Sequence, residues 1–431
     1  MATRRIDDLQ AKTRTLAVFA HLNGQFEPAG LLDMTEQGAD LLASSFRYGL
    51  RYLERPNALE IDPVSLALAD RNAVRGQVLA PAGGLPYFGG LRDAAPDAWG
   101  RRVIEARLKA PANSLPESLY LLNAGSQRVG ALDVRPTLHS PSHEVPHSQH
   151  RLEYLMEASE RIEQGLPIPA QLDDIFDAGS SLGGMRPKVT VEDDNGDLWL
   201  AKFPSVGDSL DIPCIEAATL RLAAQAGLDA PAVYTLQLRG KTVMLIRRFD
   251  RLRIEGRQHR RHMVSALTLL GCAEADSPRK SYGEIADGLR RHAAPTLIAA
   301  ANAELFGRMV FNIFVTNDDD HLRNHALLWN TEVGGWGLSP LYDVMPRPTL
   351  ASERFLHLGV GAQGRLATLG NALSGYSRFG LTLQRAEEIV ERIWRVTREW
   401  KTWFESFGAP GEEIEKISPA FRHIDDPGFL C

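Results

Sequence analysis

Short runs in which apolar and polar residues alternate predict strands, because successive side chains of a strand point to opposite faces. Two Asn-Gly pairs, Asn23-Gly24 and Asn195-Gly196, lie at the ends of such runs and are typical of the tight turns of hairpins. The predicted strands are residues 16–21, 47–52, 130–134, 188–191, 198–203, 243–250, 326–329 and 336–341.

Apolar residues that recur every three or four positions predict helices between these strands. One helix would carry Trp99 and Val103 on its apolar face and would begin at Asp93 or Asp97, either of which suits an N-cap. Residues 136–150 hold three prolines and four histidines, which predicts a linker or a long loop. The other predicted helices are residues 151–164, 214–226, 301–315 and 383–407.

The polar stretch 316–325 interrupts the apolar pattern with three consecutive aspartates, Asp318 to Asp320. Such a run is often a solvated acidic turn. A second interpretation follows from the predicted hairpin 326–341, which ends at a further acid, Asp343. That arrangement would place Asp319, Asn324 and Asp343 around one small volume, as protein kinases place a catalytic aspartate and two Mg²⁺ ligands.

Composition limits the classes of protein that fit. The 431 residues are enough for two or three domains, and 44% hydrophobic with 24% charged residues is ordinary for a globular chain. A net charge of -6 argues against a nucleic-acid coat protein. The three cysteines are far apart and contain no CxxC pair, so neither a zinc site nor a disulfide framework is predicted. The N-terminus has no apolar leader and no window holds eighteen apolar residues, so we expect neither secretion nor membrane insertion.

A loop rich in glycine and serine, residues 179–187, precedes the strand that begins at Lys188. Bare backbone N–H groups in such a loop can bind phosphates. It is not a Walker A loop, because Met185 stands where that motif requires a lysine. A tight turn between strands is the alternative interpretation.

Lys202 lies in the middle of an apolar strand, where it is either an outward-facing residue or a phosphate-binding lysine. Glu216, near the start of the helix 214–226, could pair with Lys202 and orient it, as kinases require. Five arginines between 251 and 261 could form a basic contact surface, but a solvated hairpin is favoured because the run is short and holds Glu255.

Several of these stretches together resemble the HipA family of toxin–antitoxin serine/threonine kinases. Their order and spacing make the set specific, although Arg247 stands where the best-known member has an acid. The matching stretches are the Gly-rich loop 180–188, the phosphate-binding strand 200–202, the hinge 247–251, the catalytic loop 319–324, the metal-binding turn 339–343, and residues 91–100 and 130–132 of the family's N-terminal region.

The resemblance implies an α+β, bilobal protein-kinase-like fold with an extra N-terminal β-rich region and a mostly helical C-terminal lobe. The implied divisions are a HipA-type N-terminal region at 1–137, a Pro/His-rich linker or loop at 138–150, a nucleotide-binding part of the N-lobe at 151–250, and a helical catalytic C-lobe at 251–431.

ATP and Mg²⁺ are the cofactors that the resemblance implies. Asp319 would be the catalytic base, and Asn324 and Asp343 would bind the metal. We prefer Asp319 to its two neighbours because it lies five residues before Asn324. The implied cofactor-binding residues are Ser181, Leu182, Gly183, Gly184, Lys188, Lys202, Glu216, Arg247, Phe249, Asp250, His321, Asn324 and Asp343, with His321 interpreted as a packed residue of the loop rather than an acid or base.

The implied function is that of a protein serine/threonine kinase, the toxin of a type II toxin–antitoxin system in the cytoplasm. Self-phosphorylation of the Gly-rich loop would regulate it, at Ser181 or at the neighbouring Ser180. The implied partners are a protein substrate of the aminoacyl-tRNA synthetase kind, a HipB-like helix-turn-helix antitoxin, and operator DNA reached mainly through the antitoxin. A non-catalytic kinase-like subunit that binds antitoxin and operator is the alternative; the complete set of site residues favours an active enzyme.

Overall fold

The computed structural model describes residues 10–142, 147–148, 151–181 and 183–424. They form two compact units, each built from two stretches of the chain. Unit 1 comprises Met1–Val206 and Asp250–Val264, and unit 2 comprises Gly207–Phe249 and Ser265–Cys431. The four divisions predicted from the sequence stay predictions.

Most of the paired strands are antiparallel, as expected of an α+β protein. In chain order, the strands are β1 (Lys12–Leu22), β2 (Gln25–Gln37), β3 (Asp40–Tyr48), β4 (Leu132–Arg135), β5 (His147–Ser148), β6 (Lys188–Glu192), β7 (Leu198–Lys202), β8 (Val233–Leu238), β9 (Lys241–Arg247), β10 (Arg251–Ile254), β11 (Arg257–Arg260), β12 (Met263–Ser265), β13 (Ala326–Asn330) and β14 (Gly335–Leu338).

The helices gather mostly in the second half of the chain. They are α1 (Leu50–Leu53), α2 (Arg71–Val74), α3 (Gly89–Asp93), α4 (Ala98–Leu108), α5 (Glu117–Asn123), α6 (Leu152–Glu163), α7 (Asp174–Gly179), α8 (Ile212–Gln225), α9 (Ala266–Leu269), α10 (Tyr282–His292), α11 (Ile298–Val315), α12 (Leu369–Ser374), α13 (Leu383–Thr397), α14 (Trp400–Ser406) and α15 (Gly411–Ile417).

Unit 1 is organised around a four-stranded antiparallel sheet in the order β3-β2-β1-β4. The hairpin between β1 and β2 turns at Asn23 and Gly24, both with positive φ, as the Asn-Gly signal predicts. Residues 16–22 of β1 are buried in the core. The hairpin of β6 and β7 also belongs to unit 1, with β5 parallel to β6.

The hairpin of β10 and β11 forms as predicted, but its arginines are not all solvated. Arg251 is buried and donates to the carbonyls of Arg128 (2.6 Å) and Gly130 (3.0 Å) and to the carboxylate of Asp250 (2.7 Å). Arg260 is buried too and donates to the carbonyl of Ser126. These two arginines therefore fix unit 1 internally, because they satisfy carbonyls that lie 121 and 134 residues earlier in the chain.

Unit 2 is built on α11, whose side chains are buried from Leu305 to Val315. Among the described residues, α11 is the one helix long and apolar enough to cross a membrane, with a mean hydropathy of 1.3, and 72% of it is buried in the protein. A core helix has this character. Its C-terminal end presents the polar stretch that holds the three aspartates.

Two predicted elements are wrong in detail. The strand predicted at 47–52 ends at Tyr48, and the chain turns at Gly49 into α1, where the rings of Tyr48 and Tyr52 stack at 5.9 Å. The single helix predicted at 383–407 is two helices, α13 and α14, with a break at Arg398 and Glu399. The apolar period continues across that break, so the sequence pattern alone does not show it.

Candidate active site

The three aspartates begin where α11 ends. Thr316 ends the helix in a left-handed conformation (φ 51°), and its hydroxyl donates to the carbonyl of Ala420 (2.5 Å). The amide N–H of Asn317 returns to the carbonyl of Asn312 (3.0 Å). These bonds satisfy the helix end and direct the next residues away from the helix axis.

Two of the three aspartates are held by other parts of unit 2. Asp318 accepts from Nη1 of Arg347, which lies 3.2 Å from each carboxylate oxygen. Asp320 is buried and accepts from the hydroxyl of Tyr282 (2.5 Å) and the amide N–H of His357 (2.7 Å). Burial raises the pKa of Asp320 to about 7, although these hydrogen bonds favour its charged form.

Asp319 lies between them with its side chain 75% exposed. Partial burial raises the pKa of Asp319, the charge of Asp343 adds to the rise, and His321 opposes it. Solvent screening limits these effects at so exposed a group. The hydroxyl of Tyr342, the residue before Asp343, donates to the carbonyl of Arg323 (2.6 Å), so the two segments lie side by side.

Asn324 is tied to the same aspartate. Its side-chain Nδ2 donates to the backbone carbonyl of Asp319 (2.7 Å), so the amide oxygen remains to accept a donor or a cation. Asp343 has a left-handed backbone (φ 57°), which is sparsely populated for a residue with a side chain and is often seen at functional sites.

The side-chain oxygens of Asn324 and Asp343 are of the kind that binds Mg²⁺. In the part of the chain that the structure describes, no three residues of the types His, Cys, Asp and Glu gather as a metal site. Mg²⁺ is commonly held by one or two protein oxygens, with waters and substrate phosphates completing its shell. The oxygens of Asn324 and Asp343 fit that pattern.

His321 is half-buried in the loop beside Asp319. Its Nε2 lies 3.9 Å from Oδ1 of Asp319, and its ring meets that of His357 edge-on at 5.9 Å. The ring contact fixes its orientation beside the aspartate.

The hinge residues have separate environments. Arg247 is exposed, and its backbone N–H donates to the carbonyl of Ala232 (2.9 Å). Phe249 packs on the ring of Tyr342 at 5.7 Å, directly beside the metal-binding turn. The carboxylate of Asp250 accepts from the amide of Gly130 (2.8 Å) besides Arg251, so this side chain acts within the framework of unit 1.

The Gly-rich loop of unit 1 is anchored to the N-terminus of α4. The backbone N–H of Trp99 donates to the carbonyl of Gly184 (2.9 Å), and its indole N–H donates to the carbonyl of Lys188 (2.8 Å). Gly184 has a φ of 81°, and a Cβ built there would lie 2.3 Å from Nζ of Lys188. The positive φ therefore requires glycine at this turn, whereas the flexible end of Lys188 could move aside for a Cβ. Gly183 approaches Asp97, and Leu182 lies outside the described residues.

The two serines before this turn are both 2% exposed. Ser180 donates from its hydroxyl to the carbonyl of Ala124 (3.4 Å). The hydroxyl of Ser181 is buried without a hydrogen-bond partner among the described residues.

Two lysines face the same side of the hairpin that follows. Lys188 on β6 and Lys202 on β7 are direct cross-strand partners, and both are buried. Like charges at such positions repel, which makes the pair suited to share an anion. Glu216 is buried near the start of α8, whose N-cap Asp211 accepts from the amide of Cys214. The predicted pairing of Lys202 with Glu216 stays a prediction.

Some residues that hold the site escape sequence reasoning. The sequence pattern places Trp99 only on the apolar face of a helix. Its hydrogen bonds are to Gly184 and Lys188, which lie 85 and 89 residues further along the chain. Arg347 and Tyr282 lie outside the recognised motifs, 29 and 38 residues from the aspartates they contact. No local pattern marks such contacts.

The architecture and the arrangement of Asp319, Asn324 and Asp343 define a protein-kinase-like fold. The chain aligns with a chain of the Shewanella oneidensis MR-1 toxin–antitoxin complex of HipA, HipB and operator DNA, with a TM-score of 0.65 and 16% identity, over 93% of this chain and 94% of that one. The family model described as HipA-like C-terminal domain matches residues 180–400, more than half of the sequence. The chain therefore belongs to the HipA-like family, which confirms the resemblance and the predicted fold class.

Two curated relatives match at lower coverage. A Sinorhizobium fredii protein named "Putative kinase Y4mE" is 28% identical over 253 residues, 48% of this chain and 58% of that protein. A Haemophilus influenzae protein named "Putative kinase" is 26% identical over 200 residues, 42% of this chain and 57% of that one. The chain thus spans less than two thirds of the length of either relative.

Proposed function

We propose that the protein is an ATP- and Mg²⁺-dependent serine/threonine protein kinase that acts in the cytoplasm as the toxin of a type II toxin–antitoxin system. The observation that carries the proposal is the division of roles among three consecutive aspartates. Arg347 binds the carboxylate of Asp318, and Tyr282 binds that of Asp320. Asp319 is exposed beside Asn324, and the charge of Asp343 raises its pKa. A general base must be reachable by the proton it accepts, and Asp319 meets that requirement.

In the proposed reaction, Asp319 accepts the proton of a serine or threonine hydroxyl. The hydroxyl oxygen then forms a bond to the γ-phosphorus of ATP as the bond to the ADP oxygen breaks. Asn324 and Asp343 would hold Mg²⁺, which neutralises phosphate charge when bound. The bound cation, rather than a lysine or arginine of the metal-binding turn, would supply this positive charge.

The remaining predicted residues would bind the nucleotide. The backbone N–H groups of the Gly-rich loop would meet the phosphates, and Lys188 and Lys202 would contribute positive charge from one side of their hairpin. Glu216 would orient Lys202. Phe249, packed on Tyr342, and the hinge backbone would contact adenine.

The structural comparison supports two of the proposed partners, an antitoxin and operator DNA. Because that toxin–antitoxin structure contains HipB and operator DNA, we propose an antitoxin of the same helix-turn-helix kind as a partner here, with operator DNA reached mainly through it. The substrate would be a protein of the aminoacyl-tRNA synthetase kind.

Self-phosphorylation at Ser181 belongs to the same proposal, with Ser180 as the rival site. Ser181 is 2% exposed and its hydroxyl lacks a partner among the described residues, so the loop must open before the hydroxyl can reach a base. A phosphate of about -1.5 to -2 charges does not fit that buried position, so the modified loop would stay open and ATP would lose its contacts there.

Calorimetry of ATP binding tests the metal assignment, followed by incubation with ATP and Mg²⁺ and peptide mass mapping. We expect useful ATP affinity only with Mg²⁺, because the site offers Asn324 and Asp343 as cation ligands. We expect one phosphate at Ser181, followed by weak ATP binding. Equal affinity with and without Mg²⁺ would refute the metal assignment. A phosphate elsewhere would refute the regulatory site and leave the kinase proposal standing.

A further inference from the structure

Three links join the residues around Asp343 to the loop that holds Asp319, all of them within unit 2. The hydroxyl of Tyr342 donates to the carbonyl of Arg323 (2.6 Å). The amide N–H of Arg347 donates to the carbonyl of Thr316 (3.1 Å). Nη1 of Arg347 also lies 3.2 Å from both carboxylate oxygens of Asp318.

These links lie on both sides of both carboxylates. Tyr342 directly precedes Asp343, and Arg347 follows it by four residues. In the loop that holds Asp319, the Tyr342 bond ends at Arg323, which follows Asp319. The two Arg347 contacts end at Thr316 and Asp318, which precede it. Two segments joined on both sides of each functional residue cannot separate or slide without breaking a bond.

The arrangement has a physical need for such links. Asp343 has a backbone conformation (φ 57°) that few residues with side chains adopt. Such a conformation persists only where surrounding bonds determine it.

We propose that Tyr342 and Arg347 are positioning residues, which hold Asp343 at a fixed separation from Asp319 and Asn324 before a divalent cation binds. The proposal rests on the proposed kinase function and deepens it. A preorganised pair of oxygen ligands binds a cation more tightly than one that must be assembled when the cation binds.

The two side chains contribute unequally. The Tyr342 hydrogen bond is partly buried, and a bond of that kind is worth roughly a factor of ten in an equilibrium. Arg347 and Asp318 are 70% and 30% exposed, and an ion pair so open to solvent is worth about a factor of two or three. The loss of the tyrosine hydroxyl should therefore have the larger effect.

The test compares Tyr342→Phe and Arg347→Gln with matched controls. Tyr342→Phe keeps the ring that packs on Phe249 and removes the hydroxyl alone. Its control is Tyr376→Phe, since the half-buried Tyr376 makes no side-chain hydrogen bond within the part of the chain that the structure describes. The control for Arg347 is Arg395→Gln, which removes an equally exposed ion pair with Glu391 on α13.

Two measurements are made on each variant. The first is the Mg²⁺ concentration that gives half-maximal binding of a non-hydrolysable ATP analogue. We expect it to rise about tenfold in Tyr342→Phe and about twofold in Arg347→Gln, with no change in the controls. The second is hydrogen exchange of the unliganded protein at residues 316–324 and 340–347, which should become faster in Tyr342→Phe but not in Tyr376→Phe.

If wild type binds the nucleotide in a Mg²⁺-dependent manner, the inference is overturned when Tyr342→Phe matches its control in either measurement. If the wild type shows no Mg²⁺-dependent nucleotide binding, the proposed kinase function fails. Hydrogen exchange then still decides whether the three links hold the two segments together, so the two failures are distinguishable.

Discussion

At the scale of single residues, environment separates three identical side chains. Asp318 is half of an exposed ion pair, Asp320 is buried under hydrogen bonds, and Asp319 is exposed between them. The count of five residues from Asp319 to Asn324 predicts the same assignment from sequence alone. The environments support it independently, because Arg347 binds the carboxylate of Asp318 and Asp320 is buried, whereas Asp319 is exposed.

The stability of the protein should depend on pH through Asp320. Its pKa is about 7 in the folded protein against 3.8 in an ordinary aspartate, so between those values the folded state holds a proton that the unfolded chain releases. The contribution of protonated Asp320 to the stability of the folded protein is therefore complete below pH 3.8 and is lost as pH rises to about 7.

Chemical unfolding of wild type and Asp320→Asn across this range measures the effect. The free energy of unfolding of wild type relative to the variant should fall by up to about 1.4 kcal/mol per pH unit and level off above neutral pH. Asp318→Asn serves as the control, since that carboxylate is an exposed partner of Arg347. If the difference in free energy of unfolding between wild type and Asp320→Asn does not change with pH, burial does not raise the pKa of Asp320.

At the scale of elements, the helix α4 holds the Gly-rich loop. The backbone and the indole of Trp99 bond to Gly184 and Lys188, at the two ends of the turn. The loop geometry that nucleotide binding would need is thus set by a helix of the N-terminal region.

Replacement of Trp99 by Phe should weaken ATP binding. The change removes the indole N–H and leaves the buried carbonyl of Lys188 without that donor, which costs about 1–3 kcal/mol, while an aromatic ring remains. Calorimetry with ATP and Mg²⁺ should show several-fold weaker binding. Trp329→Phe, on β13 of unit 2, is the control and should bind ATP as wild type does. Equal affinity of the two variants would show that the indole bond does not support the loop.

Local sequence signals predicted most elements correctly, because the forces that determine them are local. Asn23-Gly24 and Asn195-Gly196 turn hairpins since these residues tolerate positive φ. The sequence pattern does not mark the break at Arg398 or the turn into α1 at Gly49, because the apolar pattern continues past both points. Contacts such as that between Trp99 and Lys188 depend on how distant segments fold, which no local pattern encodes.

At the scale of the whole molecule, the chain returns to complete unit 1 after it has entered unit 2. Residues 250–264 belong to unit 1, and their buried arginines explain why. Arg251 pairs with Asp250 and satisfies two carbonyls near residue 130. Sequence analysis favoured a solvated hairpin here, because charge runs usually face water.

Arg251→Ala should therefore destabilise the protein strongly. It leaves a buried carboxylate and two carbonyls without their donor, a loss of about 3–5 kcal/mol. Arg257→Ala, on the exposed side of the same hairpin, should change stability by less than about 0.5 kcal/mol. Urea unfolding followed by circular dichroism compares them, and similar midpoints for the two variants would disprove the structural role of Arg251.

The measurement that bears most directly on the proposed function compares phosphoryl transfer and ATP binding in Asp319→Asn and wild type. The substitution keeps the shape of the side chain and removes the base without removing a proposed metal ligand. We predict that wild type incubated with ATP and Mg²⁺ gains the mass of a phosphoryl group, whereas Asp319→Asn gains none and still binds ATP with nearly wild-type affinity. An Asp319→Asn protein that transfers phosphate at the wild-type rate would contradict the account, most plainly if Asp320→Asn were the inactive variant.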